Sequence, residues 1–115
     1  MTKDPKIFVV DDDADLLSAM VEIIEAAGLP ARGFARGKAM LAELDPEWDG
    51  MILSDMRMPE ISGLDLLAEA RAMAPGVPFV LITAHGDVRS AVEAIQRGAF
   101  DFIEKPAPPE YLLAI

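Results

Sequence analysis

Short apolar runs in this chain stop on residues that can do chemistry. Ile7 to Val10 runs into Asp11 and Asp12, Met51 to Ser54 into Asp55, Phe79 to Ile82 into Thr83, and Phe100 to Glu104 into Lys105. Carboxylates brought together repel one another and call for a compensating cation. Oxygen donors without cysteine or a histidine set suit Mg²⁺, which keeps several waters and takes one or two carboxylates. A carboxylate nucleophile beside a divalent cation, a hydroxyl and a lysine ammonium is equipped to form an acyl phosphate. The carboxylate attacks phosphorus while the cations and donors neutralise the equatorial oxygens.

Each residue alone has a plainer reading. Asp13 and Asp15, with one of Asp11 and Asp12, suit the first turn of a helix, where the dipole favours acids. Thr83 reads as a strand-end hydroxyl, Lys105 as a solvated loop lysine and Asp55 as a turn residue. The plainer readings leave one regularity unexplained: Asp11, Asp12, Asp55, Thr83 and Lys105 all fall at the carboxyl ends of strands.

The elements that must hold them alternate. Ile7 to Val10 has the strand formers of a buried parallel strand. From Asp13 onward Leu16, Leu17, Met20, Val21, Ile23, Ile24 and Ala27 recur at helical spacing, and Gly28 stands where a helix ends. Ala31 to Ala35 is a second strand, Lys38 to Leu44 a short helix, and Met51 to Ser54 a third strand. Ser62 caps a helix whose apolar positions are Leu64, Leu67, Ala70 and Met73, stopped by Pro75 and Gly76. Phe79 to Ile82 is a fourth strand. Asp87 caps a helix from Val88 to Arg97 with Val88, Ala91, Val92 and Ile95 inward, and Gly98 ends it. Phe100 to Glu104 is a fifth strand, and Glu110 to Ile115 opens a fifth helix. Such alternation predicts one open parallel sheet with helices on both faces, where ligands bind outside the carboxyl ends of the strands.

Composition narrows the chemistry. A chain of 115 residues makes one domain, and 52% hydrophobic with 26% charged residues describes a folded one. A net charge of -10 argues against direct binding to nucleic acid or an anionic membrane. The absence of cysteine excludes a disulfide scaffold, thiolate zinc and cysteine catalysis, and a single histidine, His85, excludes a multi-histidine metal site. No run approaches the roughly 20 apolar residues of a membrane-spanning helix. The start, Met1 to Pro5, has no hydrophobic signal core and reads as cytoplasmic.

These motifs together resemble the receiver domain of bacterial two-component response regulators. The residues that carry the resemblance are Val9-Val-Asp-Asp12, Leu53-Ser-Asp-Met-Arg-Met-Pro59 with Gly63, Ile82-Thr-Ala84 and Glu104-Lys-Pro106, and it covers the whole chain, 1–115. It implies a flavodoxin-like sheet in the strand order 2-1-3-4-5 and transfer of a phosphoryl group from a sensor histidine kinase to Asp55. By position, Asp12 resembles the direct Mg²⁺ ligand and Asp11 the water-bridged one, with Asp55 and the main-chain carbonyl of Arg57 completing the set. Thr83 and Phe102 match the family's switch pair: the hydroxyl moves to the phosphoryl group, the ring turns inward, and the surface of the fourth helix, fifth strand and fifth helix changes shape. Phe102 lacks a phenolic hydroxyl, so it is expected to lean inward or pack on a partner. Lys105 and Pro106 resemble the family's cis peptide. Arg57 and His85 stand at positions that in the family flank the path of the hydrolysing water, and the resemblance implies that they lengthen the life of the acyl phosphate.

The stretch from Thr83 to Pro106 resembles the sigma-54-dependent activators of nitrogen regulation and dicarboxylate transport. That implies an ATPase and a DNA-binding output domain downstream, control of transcription, and a homodimer through the fourth helix, fifth strand and fifth helix. The sequence departs from the family pattern at Ala107-Pro108-Pro109, and the apolar half-helix at its end reads as the cut edge of a longer protein. Two other readings compete. A Mg²⁺-dependent aspartyl phosphatase needs a second carboxylate where Arg57 stands and a substrate cap for which there is no spare length. A phosphate-independent binding module leaves the full set of acids, threonine and lysine without a purpose.

Overall fold

The computed structural model describes residues 5–56, 58, 60–83 and 88–104. Five strands, β1 (Ile7–Val10), β2 (Ala31–Phe34), β3 (Met51–Asp55), β4 (Phe79–Thr83) and β5 (Asp101–Glu104), form one parallel sheet in the order β2-β1-β3-β4-β5. Between them run α1 (Ala14–Ala26), α2 (Gly37–Glu43), α3 (Gly63–Met73) and α4 (Val88–Gln96). This is the expected fold class; the segment expected to open a fifth helix, Glu110 to Ile115, lies outside the described residues.

Side-chain alternation along the strands builds two cores. Phe8, Val10, Ile52, Phe79 and Leu81 join Met40 of α2, Leu66, Leu67 and Ala70 of α3 and Ala94 of α4 on one face. Ile7, Val9, Leu53, Val80, Ile82 and Ile103 join Met20 and Ile24 of α1 on the other. Every residue of β1 and β4 is buried, as a strand covered on both faces must be. Each large side chain so buried contributes roughly 1.5–3 kcal/mol before chain entropy is counted.

Local chemistry sets the helix ends. Asp13 caps α1, its Oδ1 accepting from Asp15 N at 3.1 Å and Leu16 N at 3.2 Å, and Ser62 caps α3 by accepting from Asp65 N at 3.1 Å. Gly28 and Gly98 follow α1 and α4 with φ of 92° and 102°, where L side chains are strained.

Two helices depart in part from their expected faces: in α3 Leu67 and Ala70 are buried as expected and Leu64 packs against the core, but Leu66 joins them and Met73 does not. In α3 the buried positions are Gly63, Leu66, Leu67 and Ala70, whereas Met73 is 40% exposed. The chain turns inward one residue later, at the buried Ala74 and Val77. Among the described side chains of α4 the buried one is Ala94, while Val92 and Ile95 are 48% and 50% exposed; the expected cap Asp87 and the side chain of Val88 lie outside what is described. Turning the small Ala94 toward the sheet lets that helix lie close and leaves the larger side chains outside. Strand ends shift by one residue as well. Met56 N donates to Ile82 O at 2.9 Å, which carries the ladder through Asp55 and Thr83. Phe100 precedes β5 and is 62% exposed.

The amino edge of the sheet is closed by Trp48. Its ring stacks on Phe8 at 4.1 Å between centroids, and its Nε1 donates to Pro5 O at 2.9 Å. Beside it Lys6 donates to Asp49 at 2.9 Å, and this bond, with the attraction of the ammonium, holds the Asp49 carboxyl below its ordinary pKa. Among the described residues no helix is long and apolar enough to cross a membrane.

Candidate functional site

Parallel strands deliver all their carboxyl ends to one edge, and the order of this sheet sets β1 and β3 side by side with β4 next. Val10 is in register with Ser54, and Asp55 with Ile82, so the residues after β1 and at the end of β3 come together. Thr83 extends one position beyond the partner of Asp55, on the adjacent strand.

Asp11, Asp12 and Asp55 each offer a carboxylate oxygen, and these oxygens lie within 4.8 Å of one another. Asp11 is buried at 2% exposure and accepts from Asp13 N through Oδ1 at 2.9 Å; its own N–H donates to Phe34 O at 3.0 Å. Asp12 is exposed to solvent. Asp55 is half-buried, and its Oδ1 accepts from Met56 N at 3.0 Å. Thus two of the three carboxylates are oriented by backbone donors and the third stands open at the rim. These three residues would hold a small divalent cation. Its donors are hard oxygens, the chemistry that selects Mg²⁺ over softer metals.

Thr83 is buried at 2% exposure at the end of β4. Phe102 is half-buried, packs against the core formed with α2, α3 and α4, and pairs with Leu81 in register. Four residues named from the sequence, Arg57, His85, Lys105 and Pro106, lie outside the described residues.

Sequence reasoning passed over two neighbours of this edge. Ser54 is fully buried, and its Oγ donates to Asp55 O at 3.0 Å. A serine inside an apolar strand was the available signal. Next to Asp12 lies a cleft of about 310 Å³ lined by Ala35, Arg36, Gly37, Met58, Glu60 and Ile61, where Arg36 pairs with Glu60 across the loops that follow β2 and β3. Nothing local in the sequence joins residues that far apart.

Known proteins share the fold. The family described as "Response regulator receiver domain" matches residues 7–115. The C4-dicarboxylate transport transcriptional regulatory protein DctD of Rhizobium meliloti (strain 1021) is 42% identical over 113 residues, which is 98% of this chain and 25% of that protein. The chain therefore spans about a quarter of the length of this relative. Among solved structures, the beryllofluoride-activated NtrC4 receiver domain dimer superimposes with a TM-score of 0.87 at 29% identity, over 94% of this chain and 89% of that one. A response regulator from Burkholderia pseudomallei, solved with a phosphorylated aspartic acid, a calcium ion and citrate, gives a TM-score of 0.87 at 26% identity, over 96% of this chain and 65% of that one.

Proposed function

Because the chain belongs to the response regulator receiver domain family, we propose that it is a phosphorylation-controlled switch whose phosphoacceptor is Asp55. The observation that carries this reading is the convergence of three aspartate oxygens within 4.8 Å at the strand edge that also holds Thr83. Mg²⁺ would be held by Asp11, Asp12, Asp55 and the main-chain carbonyl of Arg57, and when bound it supplies the positive charge that offsets the phosphoryl oxygens.

The chain's own residues do the rest. Met56 N–H holds Oδ1 of Asp55 and so orients the carboxylate toward phosphorus. An oxygen of Asp55 forms the new O–P bond as the P–N bond to the histidine of a sensor kinase breaks, and the electron pair of that bond returns to the imidazole. Lys105 and the Thr83 hydroxyl donate to the phosphoryl oxygens. As Thr83 moves, the half-buried Phe102 turns further into the space it leaves. Arg57 and His85 obstruct the hydrolysing water and prolong the acyl phosphate.

The changed surface is that of α4, β5 and the segment after it, where Val92 and Ile95 are exposed. It serves a second copy of the chain, and behind it an output domain that regulates transcription, in the manner of a sigma-54 activator. The relative DctD is a transcriptional regulatory protein, and the NtrC4 receiver is a dimer; both support this assignment. The setting is cytoplasmic.

Incubation with acetyl phosphate and Mg²⁺, followed by intact-mass measurement, tests the reading. A single phosphate, released by base and by hydroxylamine as an acyl phosphate is, is expected, and Asp55→Asn abolishes it. Unchanged labelling of Asp55→Asn, or no labelling of the native chain, would overturn it.

A further inference from the structure

Ser54 is a hydroxyl in a place built for hydrocarbon. It is fully buried and in register with Val10 on one side and Leu81 on the other, both themselves fully buried. Packing alone calls for alanine or valine there, and a buried hydroxyl is costly unless it is bonded. Ser54 Oγ donates to the carbonyl oxygen of Asp55 at 3.0 Å.

The peptide unit gripped in this way joins Asp55 to Met56. Its other end, Met56 N–H, is shared between Asp55 Oδ1 at 3.0 Å and Ile82 O at 2.9 Å. The far side of the same carbonyl is closed by α3: a Cβ on Gly63 would lie 2.6 Å from Asp55 O, and Gly63 N donates to Met56 O at 2.7 Å. The unit is therefore clamped at both poles.

We propose that Ser54 is a positioning residue for the Asp55 carboxylate. The inference rests on the reading of Asp55 as phosphoacceptor. Donation to the carbonyl polarises the peptide and strengthens its N–H as a donor. That N–H fixes Oδ1 and so sets the direction in which the carboxylate faces phosphorus. Ser54 exchanges no atom and no proton in the transfer. It raises the fraction of time the nucleophile is aligned.

The test compares the native 115-residue chain with Ser54→Ala and Ser54→Thr, using acetyl phosphate and Mg²⁺. Ser54→Ala is expected to label about fivefold more slowly, the size of a modest misalignment. Its melting temperature should fall by only a few degrees, the loss of one buried hydrogen bond, so that the chain stays folded at the assay temperature, and labelling is compared at saturating Mg²⁺. Ser54→Thr, which keeps the hydroxyl on a strand-forming residue, recovers the rate. Independently, the amide proton of Met56 moves upfield in Ser54→Ala, as a weakened hydrogen bond requires. Labelling of Ser54→Ala at the native rate, or an unmoved Met56 amide, would overturn the inference while leaving the phosphoacceptor reading intact. A native chain that does not label overturns that reading itself.

Discussion

Asp11, Asp12 and Asp13 are chemically identical and consecutive, so only their place in the turn from β1 to α1 divides their work. Asp13 spends its carboxylate on the backbone of Asp15 and Leu16. Asp11 is buried and bonded to Asp13 N, and Asp12 stands exposed at the rim of the cluster. Asp13→Ala should therefore lower stability by about 1 kcal/mol, the worth of a helix cap, and leave Mg²⁺ affinity unchanged. Asp12→Ala should do the reverse, weakening Mg²⁺ at least about tenfold while metal-free stability stays within about 0.5 kcal/mol. Urea denaturation and Mg²⁺ titration of the two variants check this, and an exchange of the two phenotypes would refute the division. The triple-aspartate run showed in the sequence that acids gather here. It did not show which acid caps, because capping depends on where the first helical N–H groups point.

At the scale of elements, helix ends were legible and helix faces only in part. Ser62, Gly28 and Gly98 act through bonds and dihedral angles a few residues away, and the structure uses each at a helix end as its type predicts. Which side of α3 and α4 meets the sheet depends on contacts distant in sequence. Periodicity marks Leu64 and Met73, or Val92 and Ile95, as readily as it marks Leu66 and Ala94. Likewise Ser54 and Trp48 take their importance from partners that only the packed sheet supplies. The glycines offer a direct check. Gly28 has a positive φ and open space around a Cβ, so Gly28→Ala should cost about 1–2 kcal/mol from backbone strain alone. Gly76 has open space and no positive φ, so Gly76→Ala should be neutral or stabilising by up to about 1 kcal/mol. Denaturation midpoints that fail to separate the two would contradict the strain argument.

For the molecule as a whole, a net charge of -10 opposes self-association at low salt, while the exposed Val92 and Ile95 of α4 favour it. Phosphorylation adds further negative charge, so a dimer that forms on phosphorylation must gain its stability from reshaped apolar contact. Sedimentation of the phosphorylated chain should show association that strengthens with added salt. Val92→Lys with Ile95→Glu should remove it without slowing the labelling of Asp55; association that survives both changes would place the interface elsewhere. The stack of Trp48 on Phe8 has an optical consequence. The chain's single tryptophan sits at the amino edge of the sheet, the full length of the strands away from the aspartates. Its emission is thus a gauge of whether the sheet is assembled, and it is nearly blind to what binds at the opposite rim. A flat fluorescence trace during Mg²⁺ or phosphodonor titration records where the indole stands, not an inert protein.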